Sequence, residues 1–182
     1  GDPPQGEKKF IKPIGGFEYA NELVNFIKSN FSFCIGAACY PEGHIECSNL
    51  DKDVDNLKRK VDSGVDFLIT QLFFDNRNYF EFLDRIQKKN INVPVIPGIM
   101  PILNFKQIQR FTKMCGAHLS TNLQSKFEKA QEEPNEVRKI GIDHAVLQCR
   151  ELLDNKVPGI HFYTLNRSKA TLAIIDELKE FV

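Results

Sequence analysis

What this chain lacks sets the first limits on it. Its 182 residues hold no tryptophan, only two methionines and no excess of either charge, 24 lysines and arginines balancing 24 aspartates and glutamates. A neutral chain has no global field to draw it to nucleic acid, an anionic membrane surface or an acidic polymer. No apolar run approaches the roughly 20 residues that a membrane-spanning helix requires. Nor does a basic segment followed by an apolar stretch open the chain, as a secretory signal would. These absences lead to the expectation of a cytoplasmic protein with no membrane or nucleic-acid partner. The five cysteines, at 34, 39, 47, 115 and 149, form no CxxC pair and are odd in number. They read mostly as small buried hydrophobes in a reducing compartment, and no metal site is expected. Long linkers and low-complexity stretches are missing as well, so a single domain over residues 1–182 is expected. The chain opens Gly1-Asp2-Pro3-Pro4 without an initiator Met, which reads as a processed or partial sequence.

What is present is a regular alternation of elements. The spacing of apolar residues predicts helices over 17–30, from Asp51 or Asp53 to Gly64, over 77–89, 104–114, 135–154 and 168–181. Short helical pieces around a loop are expected over 117–133. Strands are expected at 31–38, 67–72, 93–96 and 159–163, with Pro97-Gly98 breaking the third as it ends. Phe67, Leu68 and Ile69 do not alternate with polar residues, so that strand reads as covered on both faces. Strands alternating with helices indicate parallel pairing through right-handed crossovers. Two architectures satisfy this pattern: an open doubly wound sheet, or half of a (β/α)₈ barrel, whose eight strands typically need about 250 residues.

In either architecture, polar residues just past the strands gather on one functional face. Here they are Tyr40 to His44, Gln71, Pro97-Gly98 and Asn166-Arg167. Asp53, Asn56, Arg59 and Lys60 lie at i, i+3, i+6 and i+7, nearly one helix face, which suits ribose hydroxyls and a pyrophosphate. That pattern is equally a solvated charged face. Gln71 either reads a ligand edge with its amide or bonds the backbone at the strand end.

Six blocks, in order, carry a resemblance: Gly1-Asp2, Tyr40-Pro41-Glu42-Gly43-His44, Asp53 to Lys60, Ile69 to Asp75 (ITQLFFD), Pro97 to Pro101 (PGIMP) and His161 to Arg167 (HFYTLNR). Together they closely resemble the catalytic domain of methylenetetrahydrofolate reductases, most nearly the eukaryotic form, over essentially the whole chain. The resemblance implies the back half of a (β/α)₈ barrel, about strands five to eight, with no regulatory domain in this chain. It implies FAD as cofactor, NAD(P)H as co-substrate (NADPH by the eukaryotic likeness) and 5,10-methylenetetrahydrofolate as the substrate reduced to 5-methyltetrahydrofolate. A homo-oligomer is implied for the full-length protein.

By the same resemblance Asp2 tunes flavin and pterin. Gly1, Asp2, Tyr19, Ala20, Tyr40, His44, Ile45, Glu46, Cys47, Asp53, Asn56, Arg59 and Lys60 contact FAD. Asp2, Gln71, Phe111, Tyr163 and Arg167 contact the substrate. The family has Pro-Glu-Ala where this chain has Ile45-Glu46-Cys47, so backbone contacts are expected there. The family's general-acid glutamate, near the end of the first strand, has no match here, and Glu42 and Glu46 belong to the FAD loop. A fragment inactive by itself is therefore expected. The alternative is a non-catalytic short isoform that binds folate or a full-length subunit.

Overall fold

Parallel strand pairing organises the computed structural model, which describes residues 6, 7 and 10–181. Helix α1 (Ala20–Asn30) leads into strand β1 (Gly36–Cys39). Helix α2 (Leu50–Asp62) precedes β2 (Phe67–Thr70), and α3 (Asn76–Gln87) precedes β3 (Val95–Ile96) and β4 (Gly98–Ile99). Three helices follow, α4 (Phe105–Cys115), α5 (Thr121–Ala130) and α6 (Pro134–Asp154). Strand β5 (His161–Phe162), helix α7 (Ser168–Glu177) and a 3₁₀ turn (Lys179–Phe181) close the order. The pairs β1–β2, β2–β3 and β4–β5 are all parallel. Since β3 and β4 are separated only by Pro97, four strand positions follow one another in chain order. The chain is thus an α/β fold of parallel strands flanked by helices. Among the described residues, no helix is long and apolar enough to cross a membrane.

Several boundaries differ from expectation, each for a local reason. Helix α1 starts at Ala20 rather than at 17, after a turn at Gly15-Gly16 in which Gly16 N–H donates to Pro13 C=O (2.9 Å). Phe17 instead lays its ring on Phe26, centroids 5.4 Å apart. Strand β1 begins five residues later than expected, because Phe31 to Cys34 are exposed and the Ile35 N–H is taken by the Asp66 carboxylate (Oδ2, 2.7 Å), while its C=O accepts the Asp66 N–H (2.9 Å) at the mouth of the ladder. Helix α2 is capped by Asn49, whose Oδ1 accepts from Lys52 N–H, and not by Asp51 or Asp53. Its end is as expected, with Gly64 at φ +114°. Residues 121–130 form one helix capped by Ser120 rather than short pieces. Strand β2 is covered on one face only: Leu68 and Thr70 are fully buried, whereas Phe67 and Ile69 are partly exposed.

The buried face carries the core. Leu68, Val95, Ile99 and Cys39 pack beneath α2, α3 and α6 with Leu57, Phe82 and Cys149, while a second cluster of Phe74, Ile102, Phe105 and Phe127 fills the space under α4 and α5. Helix α6 is held unusually close. A Cβ on Gly141 would stand 1.7 Å from the Ile102 carbonyl oxygen, so only glycine lets the helix meet the loop after β4. From the same helix Gln148 donates to Phe73 C=O (3.2 Å) and His144 Nε2 to Phe74 C=O (3.0 Å). Burial holds the His144 imidazole below its ordinary pKa, in keeping with a neutral ring.

The interruption at Pro97 is bridged by side chains. Thr70 Oγ1 accepts the Gly98 N–H (2.8 Å), and Tyr163 Oη donates to the Thr70 carbonyl (2.8 Å). The ladder then resumes, His161 N–H to Pro97 C=O (3.0 Å) and Tyr163 N–H to Ile99 C=O (2.9 Å). A Cβ at Gly98 would lie 2.4 Å from the Thr70 carbonyl oxygen and 2.6 Å from the Tyr163 ring, so glycine is required. Thr70→Val keeps the shape but leaves a buried N–H without an acceptor. It should lower stability by about 1–3 kcal/mol, read as a drop in urea midpoint at unchanged slope, and Thr70→Ser should recover most of the loss.

Candidate functional site

The ends of β1 and β2 bring the site together. After Cys39 the chain turns at Tyr40–Gly43 (Gly43 N–H to Tyr40 C=O, 3.0 Å) and sets the Tyr40 and His44 rings edge to face, centroids 4.6 Å apart. His44 Nδ1 accepts the Glu46 N–H (3.2 Å). A neutral His44 therefore carries its proton on Nε2 and offers a donor there. Ile45 and Glu46 are exposed, and the Cys47 thiol donates to Asn49 C=O (3.3 Å).

Beneath the turn, α2 divides its polar face in two. Asp53 accepts the His44 N–H on Oδ2 (3.3 Å), and Lys60 Nζ donates to Ala38 C=O (2.5 Å) at the tip of β1. Asn56 and Arg59 instead are exposed and bond each other. The stripe read from the sequence as one face is thus a half-buried pair under the turn and an outward pair beyond it. Burial raises the Asp53 carboxyl above its ordinary pKa, against the opposing His44 N–H and the charges of His44, Lys60 and Arg85. Burial likewise lowers the Lys60 amine, and pushes the Cys39 thiol up to about 12. Cys39 is therefore an inert protonated thiol, as is Cys149, also pushed up to about 12 by burial.

Gln71 donates its N–H to Cys39 C=O (2.7 Å), and its Oε1 accepts the Leu72 N–H (2.9 Å). The side-chain oxygen thus bonds the backbone at the strand end. Tyr40, Glu42, Gln71, Leu72 and Cys115 line a cleft of only about 10 Å³. Phe111 is half-buried on α4 against the second core cluster. The Tyr163 ring stands edge to face with His161 (4.9 Å), and burial raises its hydroxyl pKa. Arg167 is exposed and makes no ion pair among the described residues, at the start of α7. Tyr19 and Ala20 lie exposed at the start of α1, and Gly1 and Asp2 fall outside the described residues.

Two groups at the turn were not singled out from the sequence. Arg85 of α3 donates through Nη2 to the Pro41 carbonyl, while its Nε–H is buried without an acceptor, an arrangement that costs about 1–3 kcal/mol. His118, after α4, meets Glu42: Nδ1 lies 2.7 Å from Oε2, and its N–H donates to Oε1 (3.3 Å). These contacts join residues 44 and 76 positions apart, beyond the reach of any local pattern. Asp53 generates a pH signature. Its raised pKa means that protonation favours the folded chain. The stability it contributes is full below the unfolded value of 3.8 and is lost as pH rises through the folded one. Asp53→Asn should therefore flatten the fall in urea midpoint as pH rises from about 4, and gain on the parent most at pH 7.

The model of the family described as methylenetetrahydrofolate reductase matches residues 1–179. Methylenetetrahydrofolate reductase 1 of Schizosaccharomyces pombe is 35% identical over 98% of this chain and 30% of its own length. Methylenetetrahydrofolate reductase (NADH) 1 of Arabidopsis thaliana is 36% identical over 98% of this chain and 32% of its own length. The 5,10-methylenetetrahydrofolate reductase of Pectobacterium carotovorum is 37% identical over 88% and 54% respectively. The chain thus spans about a third of the length of the first two relatives and about half of the bacterial one. A solved structure of similar fold is an uncharacterized protein from Clostridium thermocellum that binds two copies of 5-methyl-5,6,7,8-tetrahydrofolic acid. It has a TM-score of 0.62 at 19% identity and covers 87% of this chain and 58% of that one. With a family model that takes in nearly every residue, this chain belongs to the methylenetetrahydrofolate reductases.

Proposed function

We propose that this chain forms one side of a flavin-dependent site that reduces 5,10-methylenetetrahydrofolate to 5-methyltetrahydrofolate with NAD(P)H. In this reading residues 1–182 are a single, partial catalytic domain, the back half of a (β/α)₈ barrel. The observation that carries it is the cluster at the C-terminal strand ends, where Tyr40, His44, Asp53 and Lys60 meet beside Gln71. In parallel α/β folds that end of the sheet is where ligands bind. The relatives' names support the reaction, the Arabidopsis name supports a nicotinamide co-substrate, and the ligand of the Clostridium protein supports a folate.

The residues present fit FAD. Lys60, under the turn, and Arg59 supply positive charge for a pyrophosphate, Asp53 and Asn56 partners for ribose hydroxyls, and the His44 Nε2–H a donor beside the Tyr40 ring. By the family resemblance, Tyr19, Ala20 and the backbone of Ile45, Glu46 and Cys47 would add FAD contacts, as would Gly1 and Asp2, which lie outside the described residues. When bound, the flavin supplies hydride chemistry, and the protein supplies position and electrostatics. Gln71 keeps its side-chain amide N–H₂ for a pterin edge while its oxygen is fixed on Leu72. Phe111 and Tyr163 supply apolar surface, and the exposed Arg167 guanidinium suits the carboxylates of a glutamate tail.

The cleft also speaks for a partial site. About 10 Å³ holds one water, against roughly 300–1,000 Å³ for ordinary ligand pockets, so further walls come from other β/α units. The purified 182-residue chain should bind little FAD and show no NAD(P)H–menadione reductase activity. Joined to the first four β/α units of a family member, it should become yellow and active, and Lys60→Met in that protein should weaken FAD binding about tenfold. A yellow, active chain by itself would sink the half-site reading. A colourless joined protein would sink the flavin reading.

A further inference from the structure

We propose that Arg85 is a positioning residue that holds the Tyr40–His44 turn in its ligand-ready shape, acting through the Pro41 carbonyl. The role of the turn in cofactor binding rests on the function proposed above. The hold itself rests on geometry alone.

Three separate elements clamp this turn. From α2, Asp53 takes the His44 N–H. From the segment after α4, His118 engages the Glu42 carboxylate through both its ring and its main chain. From α3, Arg85 reaches the carbonyl of Pro41, a residue with no N–H of its own and almost no exposure. The first two clamps hold the His44 amide and the Glu42 side chain, and Arg85 holds the main chain of the turn at Pro41. A guanidinium suits this place because it keeps its charge when buried and offers several donors in a fixed plane. The buried, unpaired Nε–H is what the arrangement concedes, and an apolar side chain on α3 would avoid that loss. The same cation bears on Asp53, which also faces His44 of the turn and Lys60 and Cys39 at the tip of β1. Arg85 thus fixes the turn's shape and favours the ionised carboxylate beneath it.

Amide hydrogen exchange on the 182-residue chain tests the hold without any cofactor. The probes are Gly43 and His44, whose N–H groups bond within and beneath the turn, with Leu68 and Gln71 as references in the sheet, where they bond Pro94 and Cys39. In Arg85→Met, the two turn amides should exchange at least tenfold faster while the sheet amides keep their rates. Arg85→Lys, which keeps the charge but not the planar fork, should recover part of the protection. Millimolar guanidinium should restore protection to Arg85→Ala, and ammonium should not. Unchanged turn protection in Arg85→Met, or equal acceleration of turn and sheet amides in both Met and Lys variants, would overturn the proposal. In the protein joined to the remaining barrel units, Arg85→Met should also raise the FAD dissociation constant about tenfold and move the pH dependence of FAD retention upward. Faster turn exchange with unaltered FAD affinity would uphold Arg85's hold on the turn and overturn the turn's role in the cofactor site.

Discussion

Everything at the functional end of this fold depends on how one sheet crosses a proline. Pro97 has no N–H to give and sits where β2 should find its neighbour. Thr70 resolves the break with both of its polar groups, the hydroxyl taking the Gly98 N–H and the carbonyl taking the Tyr163 hydroxyl. The bond to Tyr163 spans 93 residues and ties the second strand position directly to the fourth. Together with the Gly98 bond, it adds a polar link between the β1–β2–β3 and β4–β5 sheets to the apolar core that they share. With it, the strand ends keep a common level, and residues placed just beyond them share one surface.

A second consequence of that surface is electrostatic. Asp53 and Lys60 are both half-buried and both shifted toward their neutral forms by desolvation. Opposite charges in this state are poor stabilisers of a fold, since removing each from water costs about what their attraction returns. Desolvated groups of this kind beside a cleft are the candidates for a functional site. Here the two sit under a turn whose rings face each other and whose carbonyls and amides are already engaged.

Much of this was legible in the sequence, and the misses have physical causes. Element order, parallel pairing, the Gly64 helix stop and the Pro97 interruption all follow from local chemistry, and local chemistry decides them. Phe31 and Phe33 look like strand residues, so the expected β1 is too long. They stack on each other instead (centroids 5.5 Å apart) and stay exposed, with no strand paired to them among the described residues. Apolarity alone predicts Phe67 and Ile69 to be buried, but the core covers only the Leu68 and Thr70 face of β2. The charged stripe on α2 was found, whereas its division was not, because Lys60 is drawn in by a carbonyl on β1 and Arg59 is claimed by Asn56. Arg85 and His118 left no trace in the sequence pattern, since their partners are fixed only by the tertiary fold. The family blocks located the turn and the strand ends; they said nothing of what braces them.

Helix α6 braces more than its length suggests. Its middle touches the loop behind β4 main chain to main chain at Gly141 and Ile102, and one to two turns further along His144 and Gln148 grip the carbonyls that follow β2. Two loops from different strands therefore rest on a single splint. Neither can be displaced without levering the other, so a change at one loop is felt at the other through the helix between them.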